Sequence, residues 1–265
     1  KMSLEGLEFS QVLAEAQQLG YAESDPTADV EGLDAARKIA ILSSIAFNSR
    51  TTLDDVYVEG ITSITPADIK YARELGYVIK LLAIAKEDEE GRIQARVHPA
   101  FLPLNHPLAA VNDVFNAVFV RGDAVGEIMH YGRGAGKMPT ASAVVGDIIE
   151  IGRNLLNQSN ARIGCTCYQN KTILGIQELQ AKYYVRMTVK DCSGVLAGIA
   201  GVFGNNHVSI ASVLQKTSEA GMAELIMITH KVREQDLRDS LTVLKGMSIV
   251  GAIENVIRLE GSEAE

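Results

Sequence analysis

The sequence predicts an α+β protein of two units, in which a mixed or antiparallel sheet with helices on one face is followed by a smaller βαββαβ unit. Three observations lead to this prediction. The chain has 265 residues, more than a single domain usually has. Strand-like runs in its first half are joined by connections too short for helices, which favours antiparallel pairing. A polar, aperiodic stretch then precedes a second alternation of strands and helices.

Helical patterns open the first unit. Apolar residues at helical spacing predict a helix over 8–18, and an almost wholly apolar segment predicts a second, largely buried helix over 33–47. A third helix is expected after Thr65, because this residue can cap a helix whose first position is Pro66. The unit therefore carries at least three helices before its strands begin.

The strands of the first unit follow these helices. Alternating and β-branched residues predict strands over the ranges 77–86, 92–102, 112–122 and 124–132. A helix over 138–156 closes the unit. We therefore place the first unit at 1–156, a linker at 157–180 and the second unit at 181–265.

The second unit has a regular order of elements. Strands are predicted over 182–191, 208–216, 222–231 and 249–261, with helices over 194–206 and 233–246. This βαββαβ order is that of the ferredoxin-like split βαβ motif.

Composition restricts the kinds of partner. A formal net charge of −8 argues against nucleic acid, because phosphate binding needs a concentrated basic surface. No apolar run approaches the roughly 20 residues that cross a bilayer, and the first residues lack a signal-peptide pattern. We therefore predict a cytoplasmic protein that binds small molecules and has neither nucleic acid nor a membrane as a partner.

The three cysteines are too few and too clustered for a disulfide framework, which also indicates a reducing compartment. Cys165 and Cys167 form a C-x-C pair with no second pair of ligands nearby. Unreactive thiols are therefore favoured over a metal site, and we predict no metal centre.

An acidic segment precedes a lysine in "GYAESDPTADVEGLDAARK", residues 20–38. Asp34 and Lys38 are four residues apart on a predicted helix, so their side chains share one face. Carboxylates can hold a substrate ammonium group and a lysine can exchange a proton. The alternative is a solvated surface pair, but the apolar helix argues against placing Lys38 in bulk water.

Two glycine turns precede helices. "GRGAGKMPTASA" places Gly134 and Gly136 just before the helix over 138–156, where backbone can approach an anionic or ring-bearing ligand. Gly194 stands between a strand ending at Asp191 and the next helix, a position suited to a carboxylate ligand whose ammonium an acidic group receives. Either turn could instead only redirect the chain.

These residues carry resemblances to known families. The segments "GYAESDPTADVEGLDAARKIAIL", "DIKYARELGYVIKLLAIAK", "HPLAAVNDVFNAVFVRGDAVG" and "YGRGAGKMPTASAVVGDII" resemble successive blocks of the substrate domain of homoserine dehydrogenase. The second unit resembles an ACT domain, through Asp191, the Gly194-Val195-Leu196 helix start and the strand "HVSIASVLQK". In place of the proline usual before that glycine, this sequence has Ser193.

The homoserine dehydrogenase resemblance implies roles for particular residues. Lys38 would be the catalytic proton donor in the reductive direction, with Glu23 and Asp34 binding substrate and Asp29 supporting them. Gly134 and Gly136 would touch the cofactor. Asp25 and Glu31 are interpreted as residues that shape the loop.

The ACT resemblance implies an effector site. Its residues would be Asp191, Gly194 and Gln215, and its ligand L-threonine acting as a feedback inhibitor. The alternative is a unit that only dimerises.

The implied activity is NAD(P)-dependent interconversion of L-homoserine and L-aspartate 4-semialdehyde, in threonine, methionine and isoleucine biosynthesis, by a homodimer or homotetramer. A G-x-G-x-x-G fingerprint is absent from the sequence. The main NAD(P)-binding domain is therefore expected upstream, the isolated chain is expected to be inactive, and the choice of NAD or NADP stays open. The rival hypothesis is a non-enzymatic amino-acid-sensing and oligomerisation module.

Overall fold

A computed structural model of the chain describes residues 2–18, 24–159, 164–217 and 221–261. Its first unit contains, in chain order, α1 (Met2–Glu5), α2 (Phe9–Gln18), α3 (Thr27–Val30), α4 (Leu33–Ala46), β1 (Tyr57–Val58), α5 (Pro66–Glu74), β2 (Tyr77–Glu87), β3 (Ile93–Pro103), β4 (Phe115–Gly122), β5 (Gly126–Arg133) and α6 (Lys137–Leu156). Short 3-10 turns lie at Leu53–Asp55, Pro107–Ala110 and Ile176–Glu178.

The second unit contains, in chain order, β6 (Gln180–Lys190), α7 (Val195–Asn205), β7 (Ile210–Thr217), β8 (Met222–Thr229), β9 (Val232–Arg233), α8 (Glu234–Lys245) and β10 (Val250–Leu259). The helices and longer strands expected from the sequence are therefore present, with ends that differ by a few residues. The short strands β1 and β9 were not anticipated.

One sheet runs through both units. Its strand order is β1-β3-β10-β6-β8-β7, with β2 antiparallel to β3 along its whole length. The junction is the parallel pairing of β10 with β3, where Arg258 lies opposite Ala100 and Leu259 opposite Phe101. The α+β fold with a mixed sheet and a terminal βαββαβ unit is confirmed, and the continuity of the sheet is an addition that the sequence did not reveal.

Helices α4 and α5 cover the same face of β2 and β3. Ala36 and Ile39 of α4 pack on Ala95 and Val97, while Ile69 of α5 belongs to the cluster around Phe101. The prediction of helices on one face of the first sheet is confirmed. The helix α5 begins with a reciprocal capping box, in which Thr65 and Asp68 each bond the other's backbone N–H.

The same helix α5 also covers part of the second unit. Its cluster includes Tyr184, Ile226 and Ile257 from β6, β8 and β10. The opposite face of these strands packs on α7 and α8, through Ile199 and Leu237 among others. The sheet of the second unit therefore has helices on both faces, and one of them belongs to the first unit.

The prediction that the helix now seen as α4 is largely buried is wrong for one of its faces. It packs on the sheet through small and apolar side chains, but Ile41 and Ile45 are 62% and 61% exposed. Nothing in the described part of the chain covers these two residues. The composition of the helix was read correctly, but a single sheet face can cover only one stripe of it.

Helix α6 and the β4–β5 hairpin also expose apolar side chains. None of the residues of α6 is buried. Its exposed large apolar residues are Met138, Val144, Val145, Ile148, Ile149, Ile151, Leu155 and Leu156. An apolar surface of this extent is typical of an interface.

A buried ion pair joins the two units beneath α5. Arg186 Nε of β6 lies 2.8 Å from Asp68 Oδ1, and Arg186 Nη1 lies 3.0 Å from Glu224 Oε1 of β8. Asn255 Nδ2 of β10 donates to Asp68 Oδ2 at 2.8 Å. Burial alone would raise the pKa of Asp68, but hydrogen bonds from Arg186, Thr65 and Asn255 hold it below its usual value.

A second buried cluster lies on the opposite side of the sheet. Arg258 Nη2 of β10 lies 2.7 Å from Glu234 Oε1 of α8, and its Nη1 lies 2.8 Å from Glu59 Oε2. Tyr183 donates its hydroxyl to Glu234 at 2.7 Å. Because Glu59 follows β1, this cluster is a second polar link between the units.

Near it, His98 of β3 is completely buried beside Arg96 and Glu260. Burial, followed by the charge of Arg258, lowers the pKa of His98 to about 3. In the unfolded chain this pKa returns to about 6.5. Between these two values only the unfolded chain binds the proton, so His98 makes the fold less stable as the pH falls from 6.5 towards 3.

We expect His98→Gln to remove this part of the acid sensitivity. As the pH is lowered from 6 to 4, the free energy of unfolding of the parent should decrease more steeply than that of the variant. The two slopes should differ by about 1.4 kcal/mol per pH unit. Urea unfolding at several pH values measures this difference. The control is His130→Gln on the exposed strand β5, which should leave the slope unchanged; equal slopes for all three proteins would contradict a buried neutral His98.

Candidate functional site

The candidate catalytic helix begins at a glycine turn. Gly32 precedes α4 with a φ of 79°, in the left-handed region, and a Cβ at this position would lie 2.9 Å from Val97 Cγ1. A side chain would therefore be strained by the backbone and would also press on β3. This glycine allows α4 to start close to the sheet, two residues before Asp34.

Asp34 and Lys38 meet as the spacing predicts. Lys38 Nζ lies 2.7 Å from Asp34 Oδ2, one turn apart on α4. The lysine side chain is 68% exposed and the aspartate side chain 46% exposed. The argument that the apolar helix keeps Lys38 out of water is wrong for the described part of the chain, because Lys38 lies on a face that the sheet does not cover.

The acidic segment before α4 is partly described. Asp29 lies exposed on the short helix α3, which packs beside α4. Asp25 accepts hydrogen bonds from the Thr27 backbone N–H at 3.1 Å and the Thr27 hydroxyl at 2.6 Å, which lower its pKa. This geometry agrees with the loop-shaping role expected of Asp25. Glu23 lies outside the described residues.

The far end of α4 is held by hydroxyl groups. Ser43 and Thr51 are buried with their hydroxyl oxygens 3.1 Å apart, and Ser44 accepts from the Thr51 backbone N–H at 2.9 Å. These bonds fix the helix that carries Lys38 to the chain that follows it. Gly32 and these hydroxyl residues were not predicted from the sequence, although a glycine directly before a helix and "SS" followed by "TT" were available signals.

The predicted cofactor turn has the expected backbone. Gly136 precedes α6 with a φ of 122°, and a Cβ on Gly134 would lie 1.8 Å from Asn116 Nδ2. The φ of Gly136 therefore favours glycine, whereas a side chain at position 134 would require the Asn116 side chain to move. Among the described residues no hydrogen bond or ion pair links this turn to Asp34 or Lys38.

Two of the three predicted effector residues, Gly194 and Gln215, line a small cavity. A cavity of about 160 Å³ is lined by Gly194, Cys192, Gln215 and the apolar residues Val189, Val195, Leu196, Ala197 and Leu225, with Lys190 at its side. Gln215 Nε2 lies 3.5 Å from Asp191 Oδ1, so these two side chains and Gly194 come together. Gly194 has a φ of 88° and precedes α7, whose first N–H groups can donate hydrogen bonds to an anionic group.

The strand behind this cavity also contacts α5. Gln215 faces the cavity, while the next residue, Lys216, extends to the other side of the sheet. Lys216 Nζ lies 2.6 Å from Glu74 Oε2 and 4.6 Å from the centroid of the Tyr71 ring. Strand β7 thus lies between the effector cavity and a helix of the first unit.

No helix in the described ranges is long and apolar enough to cross a membrane. The same residues contain no group of three histidine, cysteine or acidic side chains placed to hold a metal ion.

The chain matches two known protein families. Residues 1–149 match the family profile described as homoserine dehydrogenase, and residues 183–247 match the ACT domain. The chain is 48% identical over 263 residues to homoserine dehydrogenase of Corynebacterium glutamicum, covering 98% of this chain and 59% of that protein. It is 46% identical over 269 residues to the enzyme of Synechocystis, covering 98% and 62%.

The structural comparison gives the same result. A homoserine dehydrogenase from Thiobacillus denitrificans superposes with a TM-score of 0.90 at 40% identity, over 98% of this chain and 60% of that one. The chain therefore spans about three fifths of the length of the relatives that it matches.

Proposed function

The chain belongs to the homoserine dehydrogenase family, and from this premise we propose that it supplies the substrate-binding and regulatory part of an enzyme that interconverts L-homoserine and L-aspartate 4-semialdehyde with NAD(P). The observation that carries the proposal is the Asp34–Lys38 pair, held on the outer face of a helix whose start is fixed by Gly32. We assign residues 1–156 to substrate binding, 157–180 to a linker and 181–265 to regulation.

Each residue of the site is assigned the role that its side-chain chemistry allows. Homoserine carries an ammonium group, and the carboxylates of Asp34, Asp29 and Glu23 are suited to receive it. Lys38 gives a proton to the carbonyl oxygen of the semialdehyde on reduction and takes it back from the hydroxyl on oxidation. The open face around Lys38 leaves room for a substrate to approach.

When bound, a nicotinamide cofactor would supply the hydride exchange at the substrate carbon. In this chain Gly134 and Gly136 would hold part of it, since the left-handed φ of Gly136 favours glycine and two residues without side chains leave the backbone of the turn open to a ligand. This turn fits an edge of the cofactor but is too small to form its main binding site, which we place in a further domain.

The second unit is proposed to bind L-threonine. The helix start at Gly194 would receive the carboxylate, Asp191 the ammonium group and Gln215 the hydroxyl. The cavity floor of valine and leucine suits a small side chain with a methyl group. Contacts of the adjoining strand with α5 offer a direct route from the effector to the first unit.

We further propose that the protein is cytoplasmic, as the pathway for threonine, methionine and isoleucine requires, and that it forms a homodimer or homotetramer. The exposed apolar residues of β4 and β5 support self-association.

Calorimetry separates this proposal from a non-enzymatic sensing module. The chain is expected to bind both L-homoserine and L-threonine, whereas a sensor alone would bind only threonine. Loss of a hydrogen bond to a charged ligand costs about 1.5–3 kcal/mol, which corresponds to roughly tenfold weaker binding or more. Asp34→Asn should therefore weaken homoserine binding by this factor and leave threonine binding unchanged.

The matched variant acts at the other site. Gln215→Ala should weaken threonine binding severalfold and leave homoserine binding unchanged, because the two sites have no residue in common. Heat from threonine alone would support the sensing module, and heat from neither ligand would contradict both assignments.

A further inference from the structure

The segment 59–65, which joins β1 to α5, supports the acidic segment that precedes α4. Ile61 N–H donates to the Val30 backbone oxygen of α3 at 2.8 Å. Gly60 lies so close that an added Cβ would be 2.6 Å from that same oxygen and 2.8 Å from Glu31 Cα. Because these are backbone atoms, they cannot move aside as the end of a flexible side chain can. Helix α3 therefore lies directly on segment 59–65.

Helix α3 has little packing of its own. It has four residues, all of them at least partly exposed, and one of these is Asp29. The chain then passes through Gly32 into α4, which carries Asp34 and Lys38. The position of Asp29, and the path of the chain into α4, therefore depend on segment 59–65.

The other side of segment 59–65 is held by the second unit. Three side chains that are at most 8% exposed bond to it: Arg258 Nη1 donates to Glu59 Oε2 at 2.8 Å, Asn255 Nδ2 donates to the Ser63 backbone oxygen at 3.0 Å, and Arg186 Nη2 donates to Thr65 Oγ1 at 3.1 Å. They come from β10 and β6. Strands of the second unit thus hold this segment at its first residue, at its last residue and at one between them.

Asn255 is the member of this set that bonds the backbone of segment 59–65. The Ser63 carbonyl that it holds lies in a turn, which is closed by the Ile64 N–H donating to Ile61 O at 3.1 Å. The Ile61 N–H is in turn the donor that supports α3. One turn of chain therefore links a side chain of β10 to the acidic segment.

The Asn255 amide has a fixed orientation. Its Nδ2 also donates to Asp68 Oδ2 at 2.8 Å, and its Oδ1 accepts from the Val256 N–H at 2.9 Å. Removal of this neutral group leaves no buried charge unpaired, whereas removal of Arg186 would leave the buried carboxylate of Asp68 without its partner. Asn255 is therefore the position at which the link can be weakened most selectively.

We propose that Asn255 and Gly60 are positioning residues for substrate binding, through which the second unit holds the acidic segment of the first unit in place. Asn255 holds segment 59–65 from β10, and Gly60 allows this segment to approach α3. This role rests on the homoserine site proposed above, and neither residue is a member of that site. The second unit thus supports the substrate site, in addition to the effector binding proposed for it.

Hydrogen exchange at the Ile61 amide tests the link without any ligand. Loss of one hydrogen bond weakens a contact by about two- to tenfold, so Asn255→Ala should raise the exchange rate of this amide by that factor. Gly60→Ala, whose methyl group separates the two backbones, should raise it at least as much. Two-dimensional NMR of the folded chain measures the rate. The matched control is Gly201→Ala on the exposed side of α7, where an added Cβ meets no atom within 4 Å, and it should leave the rate unchanged.

Calorimetry tests the effect on substrate binding. Gly60→Ala and Asn255→Ala should each weaken L-homoserine binding by about two- to tenfold. L-threonine binding should not change, because neither residue lines the effector cavity, and an unchanged threonine affinity also shows that the second unit is folded. The double variant should weaken homoserine binding by less than the product of the two single effects, since both changes release the same segment.

A destabilising control separates positioning from a general loss of stability. Ile199→Val removes one buried methyl group from the core beneath α7 and should lower the unfolding midpoint without weakening homoserine binding. Unchanged homoserine affinity in both Gly60→Ala and Asn255→Ala, while the parent binds, would overturn the positioning role and leave the proposed function standing. No homoserine heat from the parent would overturn both. An unchanged Ile61 exchange rate in Asn255→Ala would overturn the positioning role by itself.

Discussion

Replacing Lys38 by alanine, in an active form of the enzyme that also supplies the nucleotide-binding domain, is expected to lower kcat by about 10²- to 10⁴-fold. The reason is that the proton exchanged with the substrate oxygen loses its carrier. The KM for homoserine should change much less, because the carboxylates proposed to receive the ammonium group, those of Asp34, Asp29 and Glu23, are unchanged. Steady-state kinetics in both directions measure the two quantities separately.

Lys38→Arg distinguishes proton transfer from charge. Arginine keeps the positive charge and an ion pair with Asp34, but its guanidinium does not give up its proton in proteins. Turnover should therefore remain low in this variant, although the unfolding midpoint is unchanged. The matched control is Lys70→Ala on the exposed side of α5, which should behave like the parent. Near-normal turnover of Lys38→Arg would show that a positive charge is sufficient.

The sequence predicted those elements that carry their own signals. Helix α5 is an example, since Thr65 and Pro66 mark its start and the structure shows the capping box that they form with Asp68. The Asp34–Lys38 pair was equally accessible, because four residues on a helix are one turn. Local spacing is thus sufficient for these features.

Contacts between distant segments could not be predicted in this way. The pairing of β10 with β3 joins residues about 160 positions apart in the chain, such as Arg258 and Ala100. Neither strand sequence identifies its partner, because each is a mixture of apolar and polar residues that could pair with several other strands. The cover that α5 gives to Ile226 was missed for the same reason.

The exposure of Lys38 shows a second limit. Apolar content predicted that α4 would be buried all round, but burial depends on what lies opposite each face. In the described ranges β2 and β3 cover only one face, so Ile41 and Lys38 are exposed. A sequence pattern shows which face of a helix is apolar enough to be buried. Which part of that face is actually buried depends on the elements that pack against it.

Asp68→Ala is expected to cost about 3–5 kcal/mol of unfolding free energy, the usual range when one partner of a buried ion pair is removed. Asp68 is completely buried, and its loss leaves Arg186 without the oxygen that lies 2.8 Å from Nε. It also removes the acceptor of Asn255 and half of the capping box of α5. Urea unfolding followed by circular dichroism measures the change in midpoint at constant slope.

The pH dependence and two further variants make this result specific. Because the folded pKa of Asp68 is below its usual value, its contribution is present above about pH 4 and is lost as the pH falls through the folded pKa. The difference between the parent and Asp68→Ala should therefore shrink in acid.

Asp239→Ala, at an exposed position of α8, should leave the midpoint unchanged. The double variant Asp68→Ala with Arg186→Ala should cost less than the sum of the two single variants, since no charge is then left buried alone; strict additivity would mean that the pair does not join the two units.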